Sequence, residues 1–405
     1  LKSKPVFGEN RMSILEIQKY IKEFANIEDA NALLREQLAL EIKKDVLLFD
    51  NGTKENVWLY NYSHIRSPQN HVYVKESRGL ILDENGDIIS ISFERFFNMG
   101  HPSAPKIQYG NALAEKKFDG SLIVVYNHKG KWFVQTRGDA NASGRMSYES
   151  GISFYNGVLA VLRDKFGHDT PFKPFRDEED CYVFEFVSPF NILVTRYKST
   201  DLILLAVRNK KSLKEYKTED VDRFAHAIGL KRPESYFVKD KKSIEELVEL
   251  CERLEEGYVI VNPDMTRIKV KNQKYLEVSR MLNAGSEISP RNFANAVIAG
   301  TENDVLSIFP EYEEIINVFK KSFMEIYNNL IETWKLHGQL GLKEFAVKVG
   351  HLPFSGALFD FHKGKSDSIE SSLRNVMSDR DLLNYTNKTN KDDVDYCFKR
   401  AITRR

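Results

Sequence analysis

The segment Lys117-Phe118-Asp119-Gly120-Ser121 sets a lysine at the mouth of a strongly β-type run, SLIVVY. A lysine amine attacks an electrophile only after losing its proton, which needs nearby cations or burial to lower its pKa. A match this short is more often structural than catalytic, so its weight depends on partner residues in strands that converge on it. Ile268-Lys269-Val270-Lys271 is such a strand, and its period of two puts both lysines on one face. A doubly basic face is usually the wet side of a sheet. Here it follows Glu255-Glu256-Gly257-Tyr258 across a turn, so a carboxylate and two lysines occupy neighbouring strands of one hairpin. Those cations would lower the pKa of a nearby lysine and bind phosphate oxygens, while a carboxylate would hold a divalent metal against the same phosphates. That is the charge arrangement nucleotidyl transfer requires.

Three more residues join the set. Glu185 lies between aromatic residues in Val183-Phe184-Glu185-Phe186-Val187. Facing solvent it is an ordinary strand residue; facing a pocket it would accept a hydrogen bond from a ribose hydroxyl. Arg78, in Glu76-Ser77-Arg78-Gly79, and Arg95, in Phe93-Glu94-Arg95-Phe96-Phe97-Asn98, read either as exposed arginines or as forked guanidiniums suited to leaving-group phosphates.

The elements that must position these residues follow from hydrophobic period and turn signals. Ile14, Ile17, Ile21 and Phe24 predict one opening helix, and Leu33, Leu34, Leu38 and Leu40 a second. From Val46 the chain turns to short β runs: VLLF before Asn51-Gly52, VWLY, LILD before Glu84-Asn85-Gly86, IISIS, and SLIVVY and KWFVQT about an Asn127–Gly130 turn. CYVFEFV, LILLAVR and the pair YVIV and RIKVK complete the series, with helices at Ser153–Phe166 and Ser243–Leu254. Most connections are too short for helical crossovers, which predicts antiparallel hairpins in an α+β domain. Beyond about Val278 helical patterns take over, at Arg291–Ile298, Tyr312–Trp334, Leu342–Val349 and Ile369–Val376. Thr301-Glu302-Asn303-Asp304 reads as the start of a helix rather than a metal site. Three regions are expected: a helical segment over 1–45 packed on the catalytic domain, a catalytic domain over 46–280 and a helical domain over 281–405. Residues 1–11, ahead of Met12, are set aside from the fold as an added segment.

Composition bounds the rest. At 405 residues and 46.8 kDa the chain is long enough for two domains. With 42% hydrophobic and 29% charged residues it is neither collagen-like nor disordered. Lys and Arg total 59 against 58 Asp and Glu, a net charge of +1, so no global field draws in a polyanion and any nucleic-acid contact must be local. The three separated cysteines form neither a disulfide framework nor a metal clamp, which points to a reducing compartment. No apolar stretch suits a membrane span or a signal core. A soluble protein of the cytoplasm, or of a host cell's cytoplasm if phage-encoded, is expected.

The ordered set Ser77-Arg78-Gly79, Arg95-Phe96-Phe97-Asn98, Lys117-Phe118-Asp119-Gly120-Ser121, Arg137-Gly138, Phe184-Glu185-Phe186-Val187, Glu256-Gly257-Tyr258 and Lys269-Val270-Lys271 resembles the covalent nucleotidyltransferases. Within them it is most similar to the T-even phage RNA ligase 1 family, which repairs cleaved tRNA. The resemblance runs from about Tyr60 to Tyr275 and extends more weakly into the helical tail at Gly350–Gly364. It implies an antiparallel-sheet, ATP-grasp-like ligase domain followed by an all-helical C-terminal domain.

By that resemblance Lys117 would carry AMP as a lysyl-adenylate, with Asp119 and Gly120 shaping the loop around it. Glu185 would contact the ribose and Glu256 would place the metal, Mg²⁺ with Mn²⁺ as a substitute. Lys269 and Lys271 would engage the α-phosphate, Arg78 and Arg95 the β and γ phosphates, and Tyr60 and Arg137 would line the ATP pocket. The family positions matching Arg95 and Arg137 are commonly lysine, so charge is kept while phosphate geometry changes. The implied partners are RNA with 5′-phosphate and 3′-hydroxyl ends, such as a tRNA anticodon loop read by the helical domain, and an end-healing polynucleotide kinase/phosphatase. Alternatives are a DNA ligase or capping nucleotidyltransferase, which usually carry an OB-fold after the last lysine motif where this chain is helical, and a non-catalytic RNA-binding protein with a ligase-like domain.

Overall fold

The structure, a computed structural model, describes residues 13–403 except 64–65, 147–150, 192–193 and 282–288. The segment 1–11 set aside above lies outside the described residues. The chain divides into two units, Leu1–Tyr275 and Leu276–Arg405. Among the described residues no helix is long and apolar enough to cross a membrane.

The first unit opens with α1 (Glu16–Ile21) and α2 (Ile27–Leu38), the latter capped by the Asn26 side chain, which accepts from the Asp29 amide. Helix α2 stops where Ala39 turns left-handed (φ 49°), so Leu40 belongs to the first strand and not to the helix that its spacing suggested. The sheet therefore begins at Leu40, inside the region read as helical over 1–45. Strands β1 (Leu40–Leu48), β2 (Lys54–Tyr62), β3 (Leu80–Leu82) and β4 (Ile88–Ser90) form the first sheet in sequence order, with α3 (Val72–Glu76) between β2 and β3.

Two further sheets are built from β5 (Phe97–Asn98), β6 (Ala112–Lys116), β7 (Ser121–His128), β8 (Lys131–Thr136), β9 (Asp180–Val187), β10 (Asp201–Asn209), β11 (Ser235–Val238), β12 (Gly257–Val261) and β13 (Arg267–Lys271). The second sheet runs β10-β9-β7-β8 and the third β11-β6-β12-β13-β5. All pairings are antiparallel except β13 with β5. Helix α4 (Phe154–Phe166) and α5 (Thr218–Ile228) cover the second sheet, and α6 (Lys241–Glu249) the third.

Alternation along the second sheet decides what faces what. Ile123, Val125, Phe184 and Phe186 pack beneath α4 and α5, while Leu122, Val124, Tyr126 and Val183 join the first sheet's core. Glu185 therefore continues the face of Cys181 and Val183, away from the helices. The sequence reading found ten of the strands but missed β5, β6 and β11. Strand β5 is two residues long, β6 reads ALAEK with little β propensity, and β11 is mostly exposed. It also missed α5 and ran the Ser243–Leu254 helix past its end at Glu249.

After α7 (Gln273–Met281), in which the division falls, the second unit is helical: α8 (Pro290–Ala299), α9 (Glu302–Ile308), α10 (Glu313–His337), α11 (Leu342–Val349), α12 (Ser355–His362), α13 (Ile369–Val376) and α14 (Asp379–Thr403), the last broken at Asn390. Ile315, Ile316, Phe319, Phe323, Ile326 and Leu330 form the buried stripe of α10, which packs on α8 and α14. The α+β class with a helical C-terminal part is as expected, and Thr301 does lead into a helix.

Candidate active site

Strand β6 ends at Lys116, and the next four residues carry the chain from the third sheet into β7 of the second. Lys117 sits at this crossing, its backbone N–H donating to the Gly257 carbonyl (2.8 Å). Its Nζ donates to Glu256 Oε2 (2.5 Å), and Lys271 Nζ lies 2.9 Å from Glu256 Oε1. One carboxylate thus bridges two lysines from neighbouring strands. Gly257 is opposite Lys271 in the β12–β13 register, which delivers Glu256 to that point.

Gly120 and Gly257 permit this closeness. The Gly120 N–H donates to Glu185 Oε1 (3.0 Å), and a Cβ on Gly120 would crowd the Phe186 carbonyl oxygen inside the 3.0 Å that real Cβ atoms respect. Gly257 has φ +123°, and a Cβ there would collide with the Val270 carbonyl oxygen. Asp119 acts as a clamp on the loop: Oδ2 accepts from the backbone N–H groups of Val194 and Thr195, each at 2.8 Å. Its own N–H donates to the Tyr197 hydroxyl (2.9 Å).

One pocket is lined by Lys117, Glu256, Glu185, Arg78, Lys269 and Lys271, over an aromatic floor of Phe93, Phe96 and Phe118. Arg78 lies 5.2 Å from the Phe93 ring centre and 5.5 Å from that of Phe96, and Lys269 Nζ stands 4.7 Å over Phe96. Arg78 Nε and Arg95 Nη1 are buried with no hydrogen-bond partner among the described residues. Buried guanidinium N–H groups left without a partner are costly, and an anion would satisfy them.

The electrostatics differ from the sequence expectation at Lys117. Burial pulls its pKa down, but Glu256 and Glu185 outweigh that effect and hold the amine above the ordinary lysine range. Cations were expected to depress it; the bridging carboxylate screens them. The depressed lysine is Lys269, brought to about 7 by burial and by Arg78, Lys117 and Lys271. Burial pushes Glu185 up to about 7 against the opposing pull of Lys117. Lys117 and Lys271 keep Glu256 ionised despite its burial, below the usual carboxylate range.

Three expected members stand outside this pocket's lining, and one of them, Arg95, lines the adjoining cavity instead. Tyr60 is fully buried in the core of the first sheet, where its hydroxyl donates to Asn31 Oδ1 of α2 (2.7 Å), so it does not line the pocket. Arg137 lies outside the pocket lining: its Nε donates to Asn61 Oδ1 (3.1 Å), and its guanidinium stacks 4.6 Å from the Tyr62 ring centre. Arg95 stacks on the same ring at 4.3 Å, and Arg78 donates to the Tyr62 hydroxyl. Tyr62, missed in the sequence reading, thus gathers three arginines. The motif Tyr60-Asn61-Tyr62 contained it, but choosing between the tyrosines needed the knowledge that Asn31 claims Tyr60. Tyr275 was also missed as a contributor; Lys271 Nζ lies 5.7 Å from its ring centre and Asp119 shares a hydrogen bond with its hydroxyl.

A putative bifunctional polynucleotide kinase/RNA ligase of Autographa californica nuclear polyhedrosis virus is 28% identical over 341 residues, covering 80% of this chain and 48% of that protein. This chain therefore spans about half the length of that relative. An RNA ligase of Rhodothermus phage RM378 is 23% identical over 440 residues, covering 89% of this chain and 97% of its own. An archaeal ATP-dependent RNA ligase structure aligns over 95% of this chain and 82% of its own at 10% identity and a TM-score of 0.45. Residues 76–275, which hold Arg78, Lys117, Glu185, Glu256, Lys269 and Lys271, match the model of the RNA ligase family.

Proposed function

We propose that the protein is an ATP-dependent RNA ligase that joins 5′-phosphate and 3′-hydroxyl ends through lysyl-adenylate and RNA-adenylate intermediates. The observation that carries this reading is a lysine, Lys117, held by one carboxylate at the mouth of a pocket that also contains Arg78, Lys269 and Lys271 among its further cations. In the first step Nζ attacks the α-phosphorus of ATP, forming a P–N bond and releasing pyrophosphate. AMP then passes to the RNA 5′-phosphate, and the 3′-hydroxyl displaces it to close the phosphodiester. Each step is a displacement at phosphorus, so the protein supplies alignment and charge neutralisation.

Lys269 and Lys271 face the α-phosphate in this reading, Glu185 the ribose, and the partnerless N–H groups of Arg78 and Arg95 suit the β and γ phosphates. Tyr62 rather than Tyr60 holds the arginines in place. Because Lys117 is protonated while paired with Glu256, nucleotide binding must loosen that pair before Nζ can attack. Glu185, poised near 7, is the adjacent carboxyl able to accept a proton at neutral pH. Among the described residues no group of three or more His, Cys, Asp or Glu side chains could hold a metal ion. A lone Glu256 fits Mg²⁺ nonetheless, since that ion is commonly held by one or two carboxylates plus substrate phosphates. Bound by Glu256, it would neutralise charge on the triphosphate.

The finer reading takes tRNA as the substrate, with the second unit recognising it. The viral relative's name, pairing a polynucleotide kinase with an RNA ligase, supports a partner activity that heals RNA ends.

The test pairs labelling with ligation. Wild-type protein incubated with radiolabelled ATP and Mg²⁺ should retain label after denaturation, and should join single-stranded RNA with 5′-phosphate and 3′-hydroxyl ends. Labelling by GTP alone would indicate a capping enzyme; joining of nicked DNA without RNA would overturn the RNA reading.

A pH effect follows from Lys269. With its pKa near 7 in the free protein, it is largely neutral above that pH. A triphosphate beside it favours the charged form, so binding takes up a proton above about pH 7. ATP affinity is full below the free-state pKa and falls as pH rises, by up to roughly tenfold per unit. Calorimetry at about pH 8 in buffers of different ionisation enthalpy should show this uptake, and Lys269→Met should lose it. Equal uptake in wild type and variant would refute the assignment.

A further inference from the structure

Three cavities lie in series in the first unit. The catalytic pocket shares Phe96 and Arg267 with a second cavity, and the second shares Pro105 with a third beside β5. Lys75 and Arg95 line the middle one. Its acidic members are engaged internally: Glu215 takes both ends of the Arg267 fork, Asp264 accepts from Thr266 and Gln108, and Glu94 lies 3.9 Å from Arg208. The third cavity is lined by His101, Lys106 and Lys241 with no acidic side chain in its lining, although Lys241 also pairs with Glu245 (3.2 Å) on the exposed face of α6. Two ring surfaces accompany these cations. His101 stacks on Phe97 (centroids 4.6 Å, 13° between planes), and Tyr109 is 44% exposed although apolar groups of its size are usually covered. A basic groove with exposed rings is how proteins hold single-stranded nucleic acid: cations track the backbone and rings stack on bases.

The stereochemistry of the proposed reaction says which strand belongs there. In-line attack by Lys117 drives pyrophosphate out on the side opposite Nζ. When AMP leaves Lys117, the incoming RNA 5′-phosphate oxygen must enter from that same side. The P–N bond then breaks as the new P–O bond forms, and Nζ keeps the electron pair and takes up a proton from solvent. In the proposed reading the leaving side is that of Arg78 and Arg95, and Arg95 lines the middle cavity. We propose that this track binds the RNA strand bearing the 5′-phosphate, its terminal phosphate near Arg95 and its following nucleotides along His101, Lys106 and Tyr109. The proposal rests on the RNA ligase reading.

The test uses Lys106→Ala and Tyr109→Ala, singly and together, in the full chain. Both side chains are exposed, and neither lines the catalytic pocket. Lysyl-adenylate formation, which involves no RNA, should stay within twofold of wild type. AMP transfer to a 5′-phosphorylated decaribonucleotide should show a KM raised about tenfold in the double variant, whereas a 5′-phosphorylated dinucleotide, too short to reach the far cavity, should be unaffected. A decanucleotide KM unchanged in the double variant, or an equal loss on both lengths, overturns the track. Failure of the wild type to form lysyl-adenylate would instead remove the ligase reading itself, so the two failures are distinguishable.

Discussion

Lys117→Ala is expected to abolish covalent uptake of AMP, a loss of about 10³-fold or more, because it removes the amine that would form the P–N bond. The predicted damage is chemical and not structural. Lys117 contributes its backbone N–H to the Gly257 carbonyl, a bond that alanine keeps, and Glu256 retains Lys271 at 2.9 Å. The loss in stability should therefore be modest, about 1–2 kcal/mol. Lys117→Arg should be nearly as inactive, since a guanidinium does not lose its proton in proteins. Sealing of chemically pre-adenylated RNA should persist in the alanine variant, because that step breaks no bond to Lys117. Covalent labelling of Lys117→Ala at the wild-type level would end the lysyl-adenylate mechanism.

Gly257→Ala should have the largest effect on folding among single-methyl additions in the site. The added Cβ would overlap the Val270 carbonyl oxygen and sit 3.0 Å from the Asn272 backbone nitrogen, and neither can move without parting β12 from β13. Together with the positive φ this costs about 3 kcal/mol or more. Gly52→Ala is the control: its φ is +83°, yet nothing lies within 4 Å, so only the backbone strain of about 1 kcal/mol applies. Thermal unfolding of the two variants separates crowding from strain. Equal losses would show that the β12–β13 approach is not tight. Any folded Gly257→Ala protein should also label slowly, because the same strand pair delivers Glu256 to Lys117 and Lys271.

Much of the site was legible because its residues sit at strand ends, where a period of two is enough to fix a face. Lys269 and Lys271 share one side of β13, Glu256 precedes the paired strand, and Glu185 faces away from its aromatic neighbours. Tyr60 shows where that rule stops. It and Tyr62 are two residues apart on β2, and the period cannot choose between them; a side chain from α2, Asn31, makes the choice. Strand β6, which carries the chain to Lys117, escaped detection because Ala112–Lys116 has too few bulky residues to signal a strand, and it exists because β11 and β12 pair with it on either side.

The amino-acid sequence determined the order of the motifs, the α+β class with its helical second part, and which charges were available for phosphate chemistry, since these depend on residue type and local period. Tertiary structure alone decided how those charges share protons. Glu256 stands between Lys117 and Lys271, so Lys117 is held charged in the resting site, and Lys269, with no ion pair to a carboxylate among the described residues, is the one driven toward neutrality. Electrostatic energy depends on distance and burial, and neither is set until strands remote in sequence have paired.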